Sequence, residues 1–382
     1  MKILHLSDLH IGLRLMNRDL SEDQKYILNQ IVRLAAEASP DAIVIAGDIY
    51  DRAVPSAEAV EIFDDFVSDL VESLPGTEIM MISGNHDSSS RIDIFRRVLS
   101  RQRIHMIGMP PRLPEEHIEK VTLEDEYGKV NFYLLPFVKP SMVRLITGVQ
   151  ENGNNLSYND ALHRLIEREE IDREQRNVLV SHQFYLPAGK RPEEIERMES
   201  EICTVGNIDE VGADILELFD YAALGHIHKP MKVGSENYRY CGTPLACSVS
   251  EAGQQKGILE ITLEEKGSCT VRVLPLEPLR QVRIVRGDLN EALEQASDDY
   301  VRVELTDEAD LDVMDMQDGL HHAFPNLLEI RRLVRSYRAE KEEYLQEQET
   351  DPFVLCCGFV EKMDELDQVL LKDVINTVGS TL

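Results

Sequence analysis

No two cysteines in this 382-residue chain are spaced as CxxC, although six are present: Cys203, Cys241, Cys247, Cys269, Cys356 and Cys357. A thiolate zinc ribbon is therefore excluded, and so is the dense disulfide framework of a short secreted domain. Free thiols in a reducing compartment follow, and a cytoplasmic location is expected. Long apolar runs are missing too. None approaches the ~18 residues that a membrane span requires. The opening MKILHLSDLHIG is too soon interrupted by Asp8 and His10 to read as a secretory signal. Basic charge is scarce: 40 Lys and Arg stand against 70 Asp and Glu, a formal charge of −30. So acidic a protein cannot grip nucleic acid by its overall charge, because Lys and Arg make the phosphate contacts. Nucleic acid can still be a substrate if a metal centre supplies local positive charge or a partner supplies a groove.

What is present is ordinary globular material, 43% hydrophobic and long enough for two or three domains. Short apolar runs predict strands at Ile3–Ser7, Ala42–Ala46, Glu78–Ser83, Val130–Leu135, Val178–Ser181 and Tyr221–Leu224. Helical patterns lie between the earlier ones, at Glu22–Ala38, Ser56–Leu74 and Ile92–Gln102. In the first, Ile27, Ile31, Leu34 and Ala38 form an amphipathic stripe. Such alternation predicts an α/β unit whose sheet is buried on both faces. Three Gly-punctuated strands follow, at Tyr238–Cys241, Gly257–Leu263 and Thr270–Leu274. Past the Pro-containing stretch Leu274–Pro278 the pattern becomes β-α-β-α-β, with strands at Val282–Val285, Val301–Leu305 and Leu327–Ile330. The expected division is 1–275, 276–339 and 340–382. In the last segment Val360, Met363, Leu366, Leu370 and Val374 repeat every three or four residues. That stripe suits either a helix packed on its own domain or a docking helix for a partner protein.

Five of the apolar runs end in a polar cluster. Ile3–Ser7 leads into Asp8 and His10, and Ala42–Ala46 into Gly47-Asp48. Glu78–Ser83 leads into Gly84-Asn85-His86-Asp87, Val178–Ser181 into His182, and Tyr221–Leu224 into Gly225-His226-Ile227-His228. Ligands of layered α/β sheets collect outside the carboxyl ends of strands, so these groups are expected within reach of one another. Residues two apart in extended backbone point the same way, which would aim Asp8 with His10 and His226 with His228. Each fragment alone matches freely by chance; their joint order, each at a strand end, is specific.

These motifs resemble the calcineurin-like metallophosphoesterase family. Within it the nearer likeness is to the bacterial SbcD nucleases. KILHLSDLHIG, IVIAGDIYD, ISGNHDSSSR and YAALGHIHKP carry the likeness, with YCGTPLACSVSEAGQQKGILEI outside the metal motif. The resemblance implies an α/β fold, a layered α/β/β/α sandwich, with a small α+β capping domain and a C-terminal helical segment. It implies two metal ions, one held by Asp8, His10, Asp48 and His228. The other would be held by Asp48, Asn85, His182 and His226, with Asp48 bridging. Mixed oxygen and imidazole donors suit Mn2+ or Fe2+, with Mn2+ preferred and Zn2+ left open. Two divalent ions against two carboxylates leave a double positive charge for a phosphodiester and a hydroxide. His86 is implied as the catalytic residue, stabilising the transition state or protonating the leaving oxygen. Asp87 is expected to orient a ligand. Asp51 lies where archaeal relatives carry a His, and reads as supporting structure. His5 is expected to be buried and hydrogen-bonded, and His105, His117, His163, His321 and His322 to be structural or solvated.

The resemblance further implies a metal-dependent DNA nuclease that works with an SbcC-like ATPase. Exonuclease action on double strands and endonuclease action on single strands or hairpins would follow. So would a homodimer within a heterotetramer, and the C-terminal helix would dock on the ATPase. A phosphatase or small-molecule phosphodiesterase on the same core is the rival. A non-catalytic scaffold is the third reading, and the full ligand set with His86 weighs against it.

Overall fold

The computed structural model describes residues 1–187, 189–191, 194–195, 197–201, 209–307, 313–333, 353 and 364–379. Two six-stranded sheets form its centre. The first contains β1 (Lys2–Leu6), β2 (Ala42–Ala46), β3 (Glu78–Ile82) and β4 (Ile104–Ile107) as parallel neighbours. The second has at its centre β6 (Gly128–Leu135), β7 (Arg176–His182) and β8 (Tyr221–Gly225), also parallel. An antiparallel strand β5 (Glu119–Asp125) closes one edge of it. At its other edge β9 (Met231–Val233) and β10 (Ser235–Tyr240) form a hairpin. The hairpin of β11 (Lys256–Leu263) and β12 (Cys269–Leu276) returns to the first sheet, where β11 runs antiparallel beside β1. The three Gly-punctuated strands thus divide between two sheets.

Strand alternation explains the layering. Val44, Met80 and Ile82 of the first sheet meet Phe132, Val178, Val180 and Ala223 of the second in one apolar layer. Their neighbours Ile43, Ile45 and Met81 face the other way. They pack on α1 (Ser21–Ala38) and α2 (Ala57–Ser73), through Ile27, Ile31, Phe66 and Leu70. On the far side Leu135, Leu179 and Leu224 pack on α3 (Pro140–Thr147) and α4 (Tyr158–Glu167). The order is α/β/β/α, as the resemblance implies. β2, sequence AIVIA, is buried at every position because both of its faces are covered. Ser56 caps α2, accepting the Ala59 N–H at 3.1 Å.

One helix expectation fails. Ile92–Gln102 is not continuous; it breaks into Ser89–Ile92, Arg96–Leu99 and a 3-10 turn at Ser100–Gln102. Phe95 is left-handed (φ +63°) at the break. Asp93, just before it, accepts the Gly108 N–H at 3.2 Å. This side-chain bond to the end of β4 competes with helix continuation.

A parallel three-stranded sheet follows, of β13 (Val282–Gly287), β14 (Tyr300–Leu305) and β15 (Leu327–Arg332). Crossovers α5 (Leu289–Leu293) and α6 (Val313–Ala323) cover one face, around Val301, Val303, Leu320 and Phe324. This matches the β-α-β-α-β reading. Arg280 and the Tyr300 hydroxyl both reach Asp23 of α1, each at 2.8 Å. The last described element is α7 (Glu365–Gly379), with Leu366, Val369, Leu370 and Val374 exposed. Val360 and Met363 lie outside the described residues, as does nearly all of 340–363.

Candidate metal centre

The chain leaves β1, β2 and β3 at one edge of the first sheet, and β7 and β8 at the same edge of the second. All seven expected ligands sit there. His182 ends β7 in extended backbone, but four of the others are not extended. Asp8 (φ +52°), His10 (+43°), Asp48 (+49°) and His226 (+101°) are all on the left-handed side. Such residues cost ~1–3 kcal/mol each and collect where function demands them. Here the exits of β1 and β2 are tied together: Asp8 N–H donates to the Gly47 carbonyl and His10 N–H to the Asp48 carbonyl, both at 3.0 Å. The His226 N–H crosses from the second sheet to Asp8 Oδ1, also at 3.0 Å. Coplanar aim from a period of two is therefore not what joins Asp8 to His10; a tight turn is.

Two glycines make room. A Cβ on Gly84 would lie 2.1 Å from Asp48 Oδ1. Gly47 has φ +88°, and a Cβ there would lie 2.3 Å from His182 Nδ1. Both permit close packing beneath the carboxylate and the imidazole, beyond the strand exit itself.

Asp8, His10, Asp48, His182, His226 and His228 are each at most 2% exposed. The donor atoms of Asp8, His10 and His228 lie within 4.8 Å of one another, as do those of Asp8, Asp48 and His182. Around Asn85, its Oδ1 lies 2.9 Å from His182 Nε2 and 3.0 Å from His226 Nδ1. Asp48 Oδ2 stands between the groups, 3.3 Å from His182 Nε2 and 3.7 Å from His10 Nε2. His10 Nε2 and His228 Nε2 face each other at 3.1 Å. The two GHxH histidines thus part company: His226 joins Asn85 and His182, while His228 joins Asp8 and His10.

The buried acids and imidazoles shift one another's ionisation. Burial alone would raise Asp48, but the His182, His10 and His86 imidazoles outweigh it and hold the acid well below its ordinary range. Asp8 is pushed up to about 6, chiefly by burial. Burial would lower His182, yet the Asp48 and Asp8 charges raise it to about 9. Its Nδ1–H donates to the Ala46 carbonyl at 2.7 Å, so the second proton sits on Nε2, toward Asn85 and Asp48. A metal held at Nε2 would take the place of that proton. The donor set of carboxylate, amide oxygen and imidazole fits hard-to-borderline divalent ions.

His86 differs from the others. Its side chain is 14% exposed, against 2% or less for His10 and His182. Nδ1–H donates to the Asp51 carbonyl at 3.0 Å, which leaves Nε2 facing the site, 3.9 Å from Asp48 Oδ2. Its own N–H donates to Asp48 Oδ1 at 2.9 Å. Asp87 acts through the backbone: it accepts from Ile49, Tyr50 and Gly84 N–H groups at 2.9–3.0 Å, joining the GNHD turn to the GDIYD turn. Asp51 Oδ1 lies 3.8 Å from His10 Nδ1, a supporting position. His5 is fully buried with Nδ1 2.9 Å from the Tyr221 hydroxyl, as expected. His105 pairs with Glu78, His117 with Glu169 and His163 with Asp214, away from the cage.

Several site residues escaped the sequence reading. Gln24 of α1 clamps the β1 turn, donating to the His10 carbonyl at 2.7 Å and accepting from Gly12 N–H at 2.9 Å. Arg197 Nη2 lies 3.1 Å from His226 Nε2, and Glu201 accepts the His228 N–H at 2.9 Å. Ser200 and Glu251 stand behind His228. Of these only Glu251 had a signal, since it lies in the SVSEAGQQK stretch singled out for its resemblance.

Residues 1–230 match the calcineurin-like phosphoesterase family. The chain belongs to that family. It is an SbcD-like member, a metal-dependent phosphoesterase. Residues 277–357 match a second domain family, the Type 5 capsule protein repressor C-terminal domain. A nuclease SbcCD subunit from Staphylococcus epidermidis is 28% identical over 372 residues, 96% of this chain and 94% of that one. Among solved structures, a Thermus thermophilus protein is 13% identical with a TM-score of 0.40, covering 71% of this chain and 98% of its own. A dimetal phosphatase from Danio rerio is 11% identical with a TM-score of 0.38, covering 74% and 99%. Likenesses this distant carry no weight beside the family match. No helix among the described residues is long and apolar enough to cross a membrane.

Proposed function

We propose that this chain is the nuclease subunit of a DNA-processing complex, hydrolysing phosphodiester bonds at the edge shared by its two sheets. The observation that carries the reading is the convergence of Asp8, His10, Asp48, Asn85, His182, His226 and His228 beside the partly exposed His86. The lengthwise likeness to a nuclease subunit supports DNA as substrate. Asp8, His10, Asp48 and His228 would hold one divalent ion; Asp48, Asn85, His182 and His226 would hold the other. Mn2+ is the ion proposed, since carboxylate and amide oxygens suit it and imidazole tolerates it. Bound ions would supply Lewis acidity toward the phosphoryl oxygens and a nucleophilic water at neutral pH. His86 Nε2 gives a proton to the leaving oxygen as the P–O bond breaks, while its Nδ1–H keeps the ring aimed by way of Asp51.

The division 1–275, 276–339 and 340–382 assigns catalysis, DNA selection and partner docking in turn. Among the described residues nothing covers Leu366, Val369, Leu370 and Val374 of α7, an exposed apolar stripe suited to an SbcC-like ATPase. A second exposed apolar cluster at Ile94, Phe95 and Val98 suits pairing with another copy of this chain. Cytoplasmic DNA-end repair is the corresponding setting.

The experiment is a Mn2+-dependent assay on linear duplex, single-stranded and hairpin DNA, with and without the ATPase and ATP. Degradation of duplex ends and nicking of hairpins is expected. Faster turnover of cyclic nucleotides or phosphoprotein than of DNA would replace this reading with the phosphatase one.

A further inference from the structure

The side chains behind His228 meet the cage only at that imidazole's outer edge. His228 Nδ1 lies 2.7 Å from Ser200 Oγ, and Ser200 Oγ lies 2.8 Å from Glu251 Oε1. A carboxylate only accepts, so the Ser200 hydroxyl proton goes to Glu251. With its single proton committed, Ser200 Oγ can only accept from His228, and Nδ1 must carry hydrogen. Nε2 is then the lone-pair nitrogen, and it is the atom that faces His10 Nε2.

Glu251 is itself immobilised. Oε2 accepts from Lys256 Nζ at 2.6 Å and Thr243 Oγ1 at 2.8 Å. Oε1 accepts from Ser200 and, at 3.2 Å each, from Cys247 N–H and Ser248 Oγ. Glu251 is 1% exposed and Lys256 5%. Burying such a pair gains little stability once desolvation is charged against it. Its effect on orientation is larger. His228, Cys247 and Glu251 lie close enough together to suggest a cation site of their own. Five donors already occupy the roughly four lone-pair sites of the carboxylate, so no ion fits there.

We propose that Glu251 is a positioning residue which, through Ser200, locks His228 in its Nδ1–H tautomer and so holds Nε2 ready for a divalent cation. The proposal rests on the reading of His228 as a metal ligand. It gives the GTPLACSVSEAGQQK segment a physical role: Thr243, Cys247, Ser248, Glu251 and Lys256 together form the socket that holds the relay.

The test uses the full chain and Mn2+ alone. Glu251→Gln leaves Lys256 unpaired and risks misfolding, so Ser200→Ala carries the experiment: it cuts the relay and spares the Glu251–Lys256 pair. Ser200→Ala is expected to weaken one of two Mn2+ sites by ~10-fold or more, the range seen when such partners are removed. The melting temperature of the metal-free protein should stay unchanged, and Ser200→Thr should restore affinity. Nitrogen-15 spectra of the metal-free protein should show His228 as Nδ1–H, and lose that uniformity in Ser200→Ala. Wild-type affinity with an unchanged tautomer in Ser200→Ala would overturn the relay while leaving the metal centre standing. Two undiminished Mn2+ sites in His228→Ala would overturn the ligand reading, and the relay with it.

Discussion

The first sheet delivers Asp8, His10, Asp48 and Asn85 to the shared edge, whereas the second delivers only imidazoles, His182, His226 and His228. All the negative charge of the cage is on one side. The consequence shows in the ionisation: Asp48 and Asp8 raise His182 to about 9 across the gap between sheets. Neither sheet alone presents enough donors for two divalent ions. The candidate metal centre is a sheet–sheet interface, and a bound cation would stitch it. The turns are held differently as well. His182 hangs from a first-sheet carbonyl, Ala46, at 2.7 Å. His228 hangs from Ser200 and Glu251, on segments outside both sheets' centres.

That asymmetry can be attacked from either side. Asp48→Asn removes the carboxylate that stands between His182 and His10. Hydrolysis should fall by ~10³-fold or more, the scale of several kcal/mol of transition-state charge stabilisation. Calorimetric titration should show both Mn2+ sites impaired; two intact sites would mean that Asp48 does not bridge. His86→Gln should cut hydrolysis by ~10²-fold, the scale of lost acid catalysis, with Mn2+ binding kept. Barely altered turnover would return His86 to a structural role, and lost metal would make it a ligand.

Changing the pH shifts the charge balance between the two sheets. His182 must shed its Nε2 proton to accept a metal, and its pKa in the metal-free fold is about 9. Apparent Mn2+ affinity should therefore rise ~10-fold per pH unit between 7 and 9 as one proton is displaced. The metal-free protein should move the opposite way. A histidine whose folded pKa lies above the unfolded 6.5 contributes stability that is full below 6.5 and lost as pH rises toward 9. Asp8, raised to about 6, and Asp87, also raised to about 6, act in the same direction at lower pH. Thermal melts with chelator and with Mn2+ across pH 6–9 should diverge steadily; parallel curves would remove His182 from the cage. The smallest effect on chemistry should come from truncation after residue 339. Hydrolysis of short DNA should be unchanged while association with the ATPase is lost, as read by co-purification.

Much of the frame is legible from neighbouring residues. AIVIA before Gly47-Asp48 announces a strand covered on both faces, and the Glu22–Ala38 stripe announces a helix packed on one. Phe95 shows where that logic stops. The apolar spacing of Ile92–Gln102 favours a helix, but Asp93 spends its side chain on Gly108, a partner fifteen residues away that no periodicity reveals. β5 escapes notice for another reason. Its EKVTLED sequence lies at a sheet edge with one face wet, and so carries too little apolar signal.

The order of DxH, GD, GNHD, H and GHxH along the chain is enough to single out the candidate ligands, because each motif sits on its own strand exit and is written in consecutive residues. Folding alone decided how those exits meet. His10 and His228 are 218 positions apart in the chain and 3.1 Å apart in space. The left-handed turns, the division of His226 from His228 and the Ser200–Glu251 hold on an imidazole nitrogen all arise where distant backbone segments satisfy one another's hydrogen bonds. Local pattern records which side chains are available; only long-range packing settles which nitrogen keeps its proton.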